Sequence, residues 1–162
     1  MKFRAYNSAT SKLADLTGMV GTQVEVPEIP TAFATGIVEA MITSPSTGAN
    51  SKAWDFVSNF YDVQAWLPKN MVVVNAKSFD RLPAETQKAV LDAAAKAETR
   101  GWEMSMAEAE EKKKILSDNG MNVAAPSAEL KDGLAEAGDK MVAGWLEKTG
   151  DEGKAIIDAF KN

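Results

Sequence analysis

Hydrophobic and polar positions alternate in short blocks along the first half of the chain. Period-two alternation and short apolar runs predict strands, whereas apolar residues spaced by three or four after a hydroxyl or proline predict helices. By these criteria strands are expected at Lys2–Tyr6, Thr22–Val26, Ile37–Ile42 and Met71–Val74, with helices at Ser8–Gly18, Pro27–Gly36 and Lys52–Phe60. This β-α-β-α-β-α-β order predicts an α/β fold with a mostly parallel sheet and helices packed on it. The unbroken apolar run at Met71–Val74 is typical of a strand covered on both faces.

The second half of the chain carries a much longer helical pattern. From Pro83 to Asn119 apolar residues recur at multiples of three or four positions, namely Leu91, Ala95, Trp102, Met106, Ala109 and Leu116. Helices in compact domains usually have about three or four turns, so one of this length is expected to pack across more than one structural unit. A short strand at Asn122–Ala124, a helix from Pro126 toward Leu146 and a final helix at Gly150–Phe160 complete the prediction.

The composition narrows the classes of function. The chain has 0 histidines and 0 cysteines, which excludes Ser-His-Asp triads, thiol nucleophiles and metal sites built on these residues. Its net charge is −5 and its basic cluster at Lys112–Lys114 follows several glutamates, so nucleic acid is not an expected partner. The chain contains no run of about 18 apolar residues, the length needed to span a membrane. No apolar stretch follows Met1–Tyr6, so these residues do not form a signal peptide. We expect neither a metal nor a cofactor.

Polar side chains follow the carboxyl ends of the first three predicted strands. In an open parallel sheet these ends meet at one edge, where ligands commonly bind. Arg4 offers a guanidinium fork for a carboxylate or phosphate, while hydroxyls and helix N-termini offer further donors. Trp66, beside Leu67-Pro68, is the tryptophan best placed to wall a cleft. The predicted ligand-binding residues are Arg4, Asn7, Thr43, Ser44, Thr47 and Trp66.

Each of these features also has a purely structural interpretation. An arginine on a strand often forms a surface ion pair, and Ser or Thr after a strand often caps a helix. Two other functions stay open: an α/β enzyme with Glu28, Glu39 or Asp62 as general base, and a helical interaction or sensor module. In the second case the long helix, with charged residues such as Glu108 and Lys112, would be the interaction surface. An anion-binding protein is favoured because the chain has no catalytic set.

Several segments, in one register along the chain, resemble a known family. They are Lys2–Asn7, Glu28–Ala40, Thr43–Gly48, Lys52–Trp54, Phe60–Val63 and Leu82–Gln87. Their order and spacing closely resemble the solute-binding subunit of tripartite ATP-independent periplasmic (TRAP) transporters, the DctP family. The resemblance extends through essentially the whole chain.

The resemblance implies a receptor that captures an organic acid, often a carboxylate, in the periplasm and delivers it to a membrane permease driven by an ion gradient. The ligand would lie between two α/β lobes that close around it. The family's ligand-pairing arginine falls on Arg4, and a polar residue after the third strand, often Asn, falls near Thr43. The family's hinge-crossing strand and bridging helix correspond to Met71–Asn75 and Pro83–Asn119. The expected divisions are an α/β ligand-binding lobe at 1–76 that ends in the hinge-crossing strand, a bridging helix at 77–121, and carboxyl-terminal helices packed on the lobe at 122–162.

Members of the resembled family are considerably longer, with an export signal and an amino-terminal lobe before the segment that corresponds to Phe3. This chain is therefore expected to be the carboxyl-terminal part of a periplasmic protein and to lack the export signal itself. Two hypotheses result. The isolated chain should bind its ligand weakly because half of the cleft is absent, and apolar surface on the long helix and the hinge strand should favour self-association.

Overall fold

The structure of the protein is a computed structural model that describes residues 1–66 and 68–161, residue 161 by its backbone alone. Within these residues the fold is mixed α/β and mostly helical. The strands are β1 (Lys2–Ala5), β2 (Val20–Gln23), β3 (Ala40–Met41), β4 (Asn59–Tyr61) and β5 (Asn122–Ala124). The α-helices are α1 (Ser8–Leu16), α2 (Ile29–Ala34), α3 (Pro45–Asn50), α4 (Ala76–Phe79), α5 (Ala84–Asp118) and α6 (Ala128–Lys161). Helix α6 is interrupted at Gly150, whose φ of 57° and ψ of −138° are not helical.

Three parallel strands in the order β2-β1-β3 form the first sheet. Arg4 of β1 pairs with Thr22 of β2 on one side and with Met41 of β3 on the other. Phe3, Arg4 and Ala5 are all buried, as expected for the central strand of a covered sheet. The predicted parallel sheet is therefore confirmed, although β2 begins earlier than predicted and β3 is shorter.

Two apolar clusters hold the elements together. The first follows β2 and includes α2, and its buried residues are Val24, Ile29, Ala32 and Val38. The rings of Phe33 and Phe56 stack beside it, with centroids 4.8 Å apart. The second joins α3 and the turn after it to the end of α5 and the start of β5, and its buried residues are Ala49, Ala53, Leu116 and Met121. Since full burial of an aliphatic side chain contributes about 1.5–3 kcal/mol, the second cluster fixes the end of α5 against α3.

Helix α5 has 35 residues and is therefore about 52 Å long. The prediction of one long helix is confirmed, and it ends at Asn119 and at Gly120, whose φ is 91°. Only Leu116, near the carboxyl end of α5, is buried, whereas many apolar residues are exposed, namely Val90, Leu91, Trp102, Met104 and Met106. No helix in the described part of the chain has the length and hydrophobicity needed to cross a membrane.

The helix predicted at Lys52–Phe60 is wrong. Lys52 has a left-handed φ of 52°, and a single 3₁₀ turn at Ala53–Asp55 follows it. Asn59–Tyr61 instead form β4, which pairs in parallel with β5, the strand predicted at Asn122–Ala124. The local spacing of apolar residues does not indicate β4, because the strand that pairs with it lies 63 residues further along the chain.

The strand predicted at Met71–Val74 is also wrong in this structure. These residues form no strand, and the side chains of Met71, Val72, Val73 and Val74 are 84%, 104%, 82% and 66% exposed. A strand needs a neighbour to receive its backbone hydrogen bonds, and no strand in residues 1–66 or 68–161 pairs with this segment. An apolar run of the kind that is usually covered on both faces is thus left uncovered.

Candidate anion-binding site at the edge of the three-stranded sheet

Arg4 is the central residue of the site, and its side chain is almost completely buried, at 2% exposure. Its Nε donates a hydrogen bond to the backbone oxygen of Val24, which lies just beyond β2, at 2.9 Å. The guanidinium carbon lies 5.2 Å from the ring centroid of Tyr6. Burial lowers the pKa of Arg4, and the negative charge of Glu25 partly offsets this effect. The group nevertheless stays a cation because arginine does not lose its proton in proteins.

A buried cation normally has an anionic partner, because removing a charge from water without one is costly. Arg4 forms no ion pair with any carboxylate in residues 1–66 and 68–161. Its two terminal nitrogens make no hydrogen bond to these residues either. No fully buried side-chain nitrogen in the described chain lacks a partner, so the terminal nitrogens reach solvent. Arg4 therefore presents an unsatisfied fork that suits an external anion.

Asn7 lies after β1 and caps helix α1. Its Oδ1 accepts hydrogen bonds from the backbone nitrogen and the hydroxyl of Thr10, both at 2.9 Å. The oxygen is thus engaged in the cap, as the structural interpretation of such residues predicts. The side-chain amide nitrogen makes no hydrogen bond to the described residues, so it remains available as a donor to a ligand.

The hydroxyl residues after β3 divide into two kinds. Ser44 caps α3, because its Oγ accepts a hydrogen bond from the backbone nitrogen of Thr47 at 3.1 Å and donates one to the Thr47 hydroxyl at 3.2 Å. Thr43 comes two residues after Met41, the partner of Arg4 in β3. Thr43 is half-buried, and its hydroxyl forms no hydrogen bond with the described residues. Of the three hydroxyls predicted to bind ligand, Thr43 is therefore the one that the local structure leaves uncommitted.

The chain is similar to known proteins in sequence and in fold. The sequence matches the family described as bacterial extracellular solute-binding protein, family 7 (DctP), over residues 1–149. This chain belongs to that family. No match is found among curated proteins. Its fold is that of the lobe found in periplasmic solute receptors of TRAP transporters.

Three solved structures of solute-binding proteins are similar to this chain. Two are the Bordetella pertussis extracytoplasmic solute receptors DctP7 and DctP6, both described as binding pyroglutamic acid, at 46% and 45% identity with TM-scores of 0.91 and 0.93. The third is a marine metagenome TRAP solute binding protein from an unidentified microbe, specific for pyroglutamate, at 39% identity with a TM-score of 0.90. Each comparison covers 99% of this chain but only 53–54% of the other. The chain therefore spans about half the length of these DctP receptors.

Trp66 lies in the irregular segment after β4, not at the edge of the three-stranded sheet. It is half-buried and makes no hydrogen bond or ring contact with the described residues. The structure thus does not join it to Arg4, Asn7 or Thr43. Its role as a cleft wall in this DctP chain stays a prediction.

The three carboxylates considered as general bases all have structural partners. Glu39 accepts a hydrogen bond from the backbone nitrogen of Lys2 at 2.8 Å, and Glu28 accepts one from the backbone nitrogen of Glu25 at 3.3 Å. Asp62 pairs with Lys113 of α5 at 2.9 Å. No group of three acidic or metal-binding side chains that could hold a metal ion occurs among the described residues. Each of the three carboxylates therefore has a structural role in this fold.

Tyr6 and Thr10 belong to the site but were not among the predicted ligand-binding residues. Tyr6 lies against the guanidinium of Arg4, and Thr10 is fully buried beside the turn that follows β1. The spacing of Arg4 and Tyr6 gave one usable indication, because alternate residues of a strand point to the same face. The reciprocal cap between Asn7 and Thr10 was harder to recognise, since threonine is not the usual third residue of a capping box.

The ion pair between Asp62 and Lys113 gives a prediction about acid stability. A hydrogen bond from Lys113 lowers the pKa of Asp62, so the stabilisation is present above the carboxyl pKa of the unfolded chain, about 4. It is lost as the pH falls through the lower pKa of the folded state. Asp62→Asn should therefore lower the free energy of unfolding by about 0.5–1 kcal/mol at neutral pH. Urea unfolding at several pH values should show this difference vanish in acid.

A matched control is Asp92→Asn on α5, the helix that carries Lys113, because Asp92 forms an exposed i,i+4 pair with Lys88. Its effect at neutral pH should be less than about 0.5 kcal/mol. A difference between wild type and Asp62→Asn that does not decrease as the pH is lowered would contradict the assignment.

Proposed function

We propose that this chain forms one wall of the ligand cleft in a TRAP transporter receptor that binds pyroglutamate or a closely related small carboxylate. The observation that carries the proposal is Arg4, a buried cation without a carboxylate partner in the described residues. Three DctP receptors of 39–46% identity, each described as binding pyroglutamate or pyroglutamic acid, support this choice of ligand. The protein acts by reversible capture and does not catalyse a reaction.

Pyroglutamate has a carboxylate and a lactam, and the site offers groups that complement both. The terminal nitrogens of Arg4 pair with the carboxylate oxygens. The side-chain amide nitrogen of Asn7 donates to the ring carbonyl, and the hydroxyl oxygen of Thr43 accepts from the ring N–H; neither group has a hydrogen bond to the described residues. Trp66 covers the ligand when the cleft closes.

We also propose a location and a partner for the receptor, and a division of this chain into a lobe and helices. The family is described as extracellular, and we place the complete receptor in the periplasm, where it delivers its ligand to a membrane permease. Residues 1–76 form the ligand-binding lobe, α5 within 77–121 bridges to a second lobe, and 122–162 pack on the first. Membership of a solute-binding family favours this function over an enzyme or a helical sensor module.

The test is a titration of the ¹⁵N-labelled chain with pyroglutamate, followed by NMR. Chemical shifts should change at Arg4, Asn7 and Thr43, with an affinity weaker than micromolar because the chain spans about half of its relatives' length. Pyroglutamide, in which an amide replaces the carboxylate, is the matched control and should bind less well. No shift changes with millimolar pyroglutamate would refute the ligand assignment, and micromolar or tighter binding would refute the half-cleft proposal.

We further propose that the isolated chain self-associates through the apolar segment Met71–Val74 and the exposed apolar residues of α5. Val72 is fully exposed, and uncovered apolar segments of this kind commonly associate with other chains. Light scattering should show an apparent mass that rises with concentration. Val72→Lys should reduce this rise, whereas Val26→Lys, at another exposed valine, should not. A constant monomer mass at all concentrations would contradict the proposal.

A further inference from the structure

The guanidinium of Arg4 is held on two sides before any ligand binds. On its inner edge Nε donates to the backbone oxygen of Val24 at 2.9 Å. Its central carbon also lies over the ring of Tyr6, 5.2 Å from the ring centroid, a distance at which an aromatic ring attracts a cation. Because Nε is hydrogen-bonded and the guanidinium carbon lies over the Tyr6 ring, the direction of the two terminal nitrogens is restricted.

Tyr6 is in turn held by Thr10. The Thr10 hydroxyl, which is completely buried, accepts hydrogen bonds from the backbone nitrogens of Tyr6 and Asn7 at 3.0 Å and 3.1 Å. It has one proton to donate, which Asn7 accepts through its backbone oxygen or its Oδ1. One hydroxyl therefore ties down two consecutive backbone N–H groups at the turn where β1 ends. A methyl group in its place would leave both donors without this partner.

We propose that Tyr6 is a positioning residue for Arg4, and that Thr10 acts through Tyr6 by fixing the backbone beneath its ring. Together they direct the terminal nitrogens of Arg4 toward the ligand carboxylate. This inference rests on the proposed function and identifies the residues that give the site its preference for a carboxylate over a neutral group. The phenol oxygen of Tyr6 is not required, because the contact is made by the ring face.

The experiment compares Tyr6→Leu with Tyr6→Phe in the full chain, using pyroglutamate and pyroglutamide as probes. Tyr6→Phe keeps the ring and should bind pyroglutamate within about threefold of wild type. Tyr6→Leu should bind it about fivefold to tenfold more weakly and should lose most of the preference over pyroglutamide. A general loss of structure would weaken the binding of both probes equally. A change in the ratio of the two affinities therefore indicates that Arg4 is no longer positioned correctly.

A second pair of variants makes the test independent of the substitution at Tyr6. Thr10→Ser keeps the hydroxyl and should retain the wild-type ratio, whereas Thr10→Val removes the hydroxyl at similar volume and should reduce the ratio as Tyr6→Leu does. An unchanged ratio in both Tyr6→Leu and Thr10→Val would overturn the inference while leaving the proposed function intact.

A measurement without ligand distinguishes failure of the positioning role from failure of the proposed function. The Nε–H proton of Arg4 should exchange with water faster in Tyr6→Leu and Thr10→Val than in wild type, Tyr6→Phe or Thr10→Ser. If wild type binds neither probe, the proposed function fails, and this exchange difference still supports Tyr6 and Thr10 as the groups that hold Arg4. Equal exchange rates in all variants would overturn the positioning role.

Discussion

Arg4→Met should abolish pyroglutamate binding and leave the stability of the chain almost unchanged. A carboxylate received by the two terminal nitrogens makes two charge-assisted hydrogen bonds, which together contribute about 3 kcal/mol or more. Their loss corresponds to at least about a 100-fold weaker affinity, which is undetectable for a chain that already binds weakly. The measurement is the NMR titration with pyroglutamate described above.

The free energy of unfolding of Arg4→Met distinguishes a ligand-binding role of Arg4 from a structural one. Arg4→Met removes the hydrogen bond to Val24, but it also removes the cost of burying a cation that has no carboxylate partner in the described chain. These opposing effects should leave the free energy of unfolding within about 1 kcal/mol of wild type. A loss of more than about 3 kcal/mol in urea unfolding would show that Arg4 is mainly structural.

Arg4→Lys is the matched control for charge. It keeps a cation at this position but replaces the planar fork with a single ammonium. Its affinity for pyroglutamate should therefore fall between those of wild type and Arg4→Met. Binding of Arg4→Lys equal to that of wild type would contradict a bidentate contact between Arg4 and the carboxylate.

Leu116→Ala should cause the largest loss of stability among simple substitutions in the second apolar cluster. Leu116 is completely buried near the end of α5. Its methyl groups lie 3.6 Å from the point where a Cβ on Gly48 of α3 would stand. Removing a buried leucine side chain costs its transfer free energy and leaves a cavity, so the expected loss is about 2.5–5 kcal/mol. Urea unfolding followed by circular dichroism measures it.

Leu91→Ala is the control, because it makes the same change in the same helix at a side chain that is 59% exposed. Its effect should stay within about 0.5 kcal/mol. Similar losses for the two variants would show that the carboxyl end of α5 is not fixed against α3 in the way the structure describes.

The parts of the fold that were predicted correctly depend on local sequence. The extent of α5 followed from its apolar spacing and from Asn119-Gly120 at its end, because helical hydrogen bonds join residues only four apart. The parallel sheet followed from the alternation of short strand and helix patterns. Arg4 was chosen as a candidate because it lies near the carboxyl end of the first strand, at the edge of the sheet where ligands commonly bind.

The errors arose where distant residues decide the structure. Asn59–Tyr61 became β4 because a matching strand lies beyond α5, and nothing in the local pattern of Lys52–Phe60 indicates that partner. Met71–Val74 has the composition of a buried strand, yet it is uncovered here because no strand in the described residues lies alongside it. The composition of a segment determines which secondary structure it favours. Whether the segment pairs as a strand depends on which other segments lie next to it in the fold.

The sequence by itself determined the α/β class, the single long helix and the absence of histidine or cysteine chemistry, and it suggested Arg4 as the candidate anion-binding residue. Only the tertiary structure decided that this arginine is buried without a carboxylate partner in the described chain and that its guanidinium carbon lies over the ring of Tyr6. It also decided that Ser44 caps a helix while the Thr43 hydroxyl has no hydrogen bond to the described residues. The physical reason is that charge, helical periodicity and capping are properties of neighbouring residues. Burial and hydrogen-bond satisfaction arise only when β1, β2 and β3 come together.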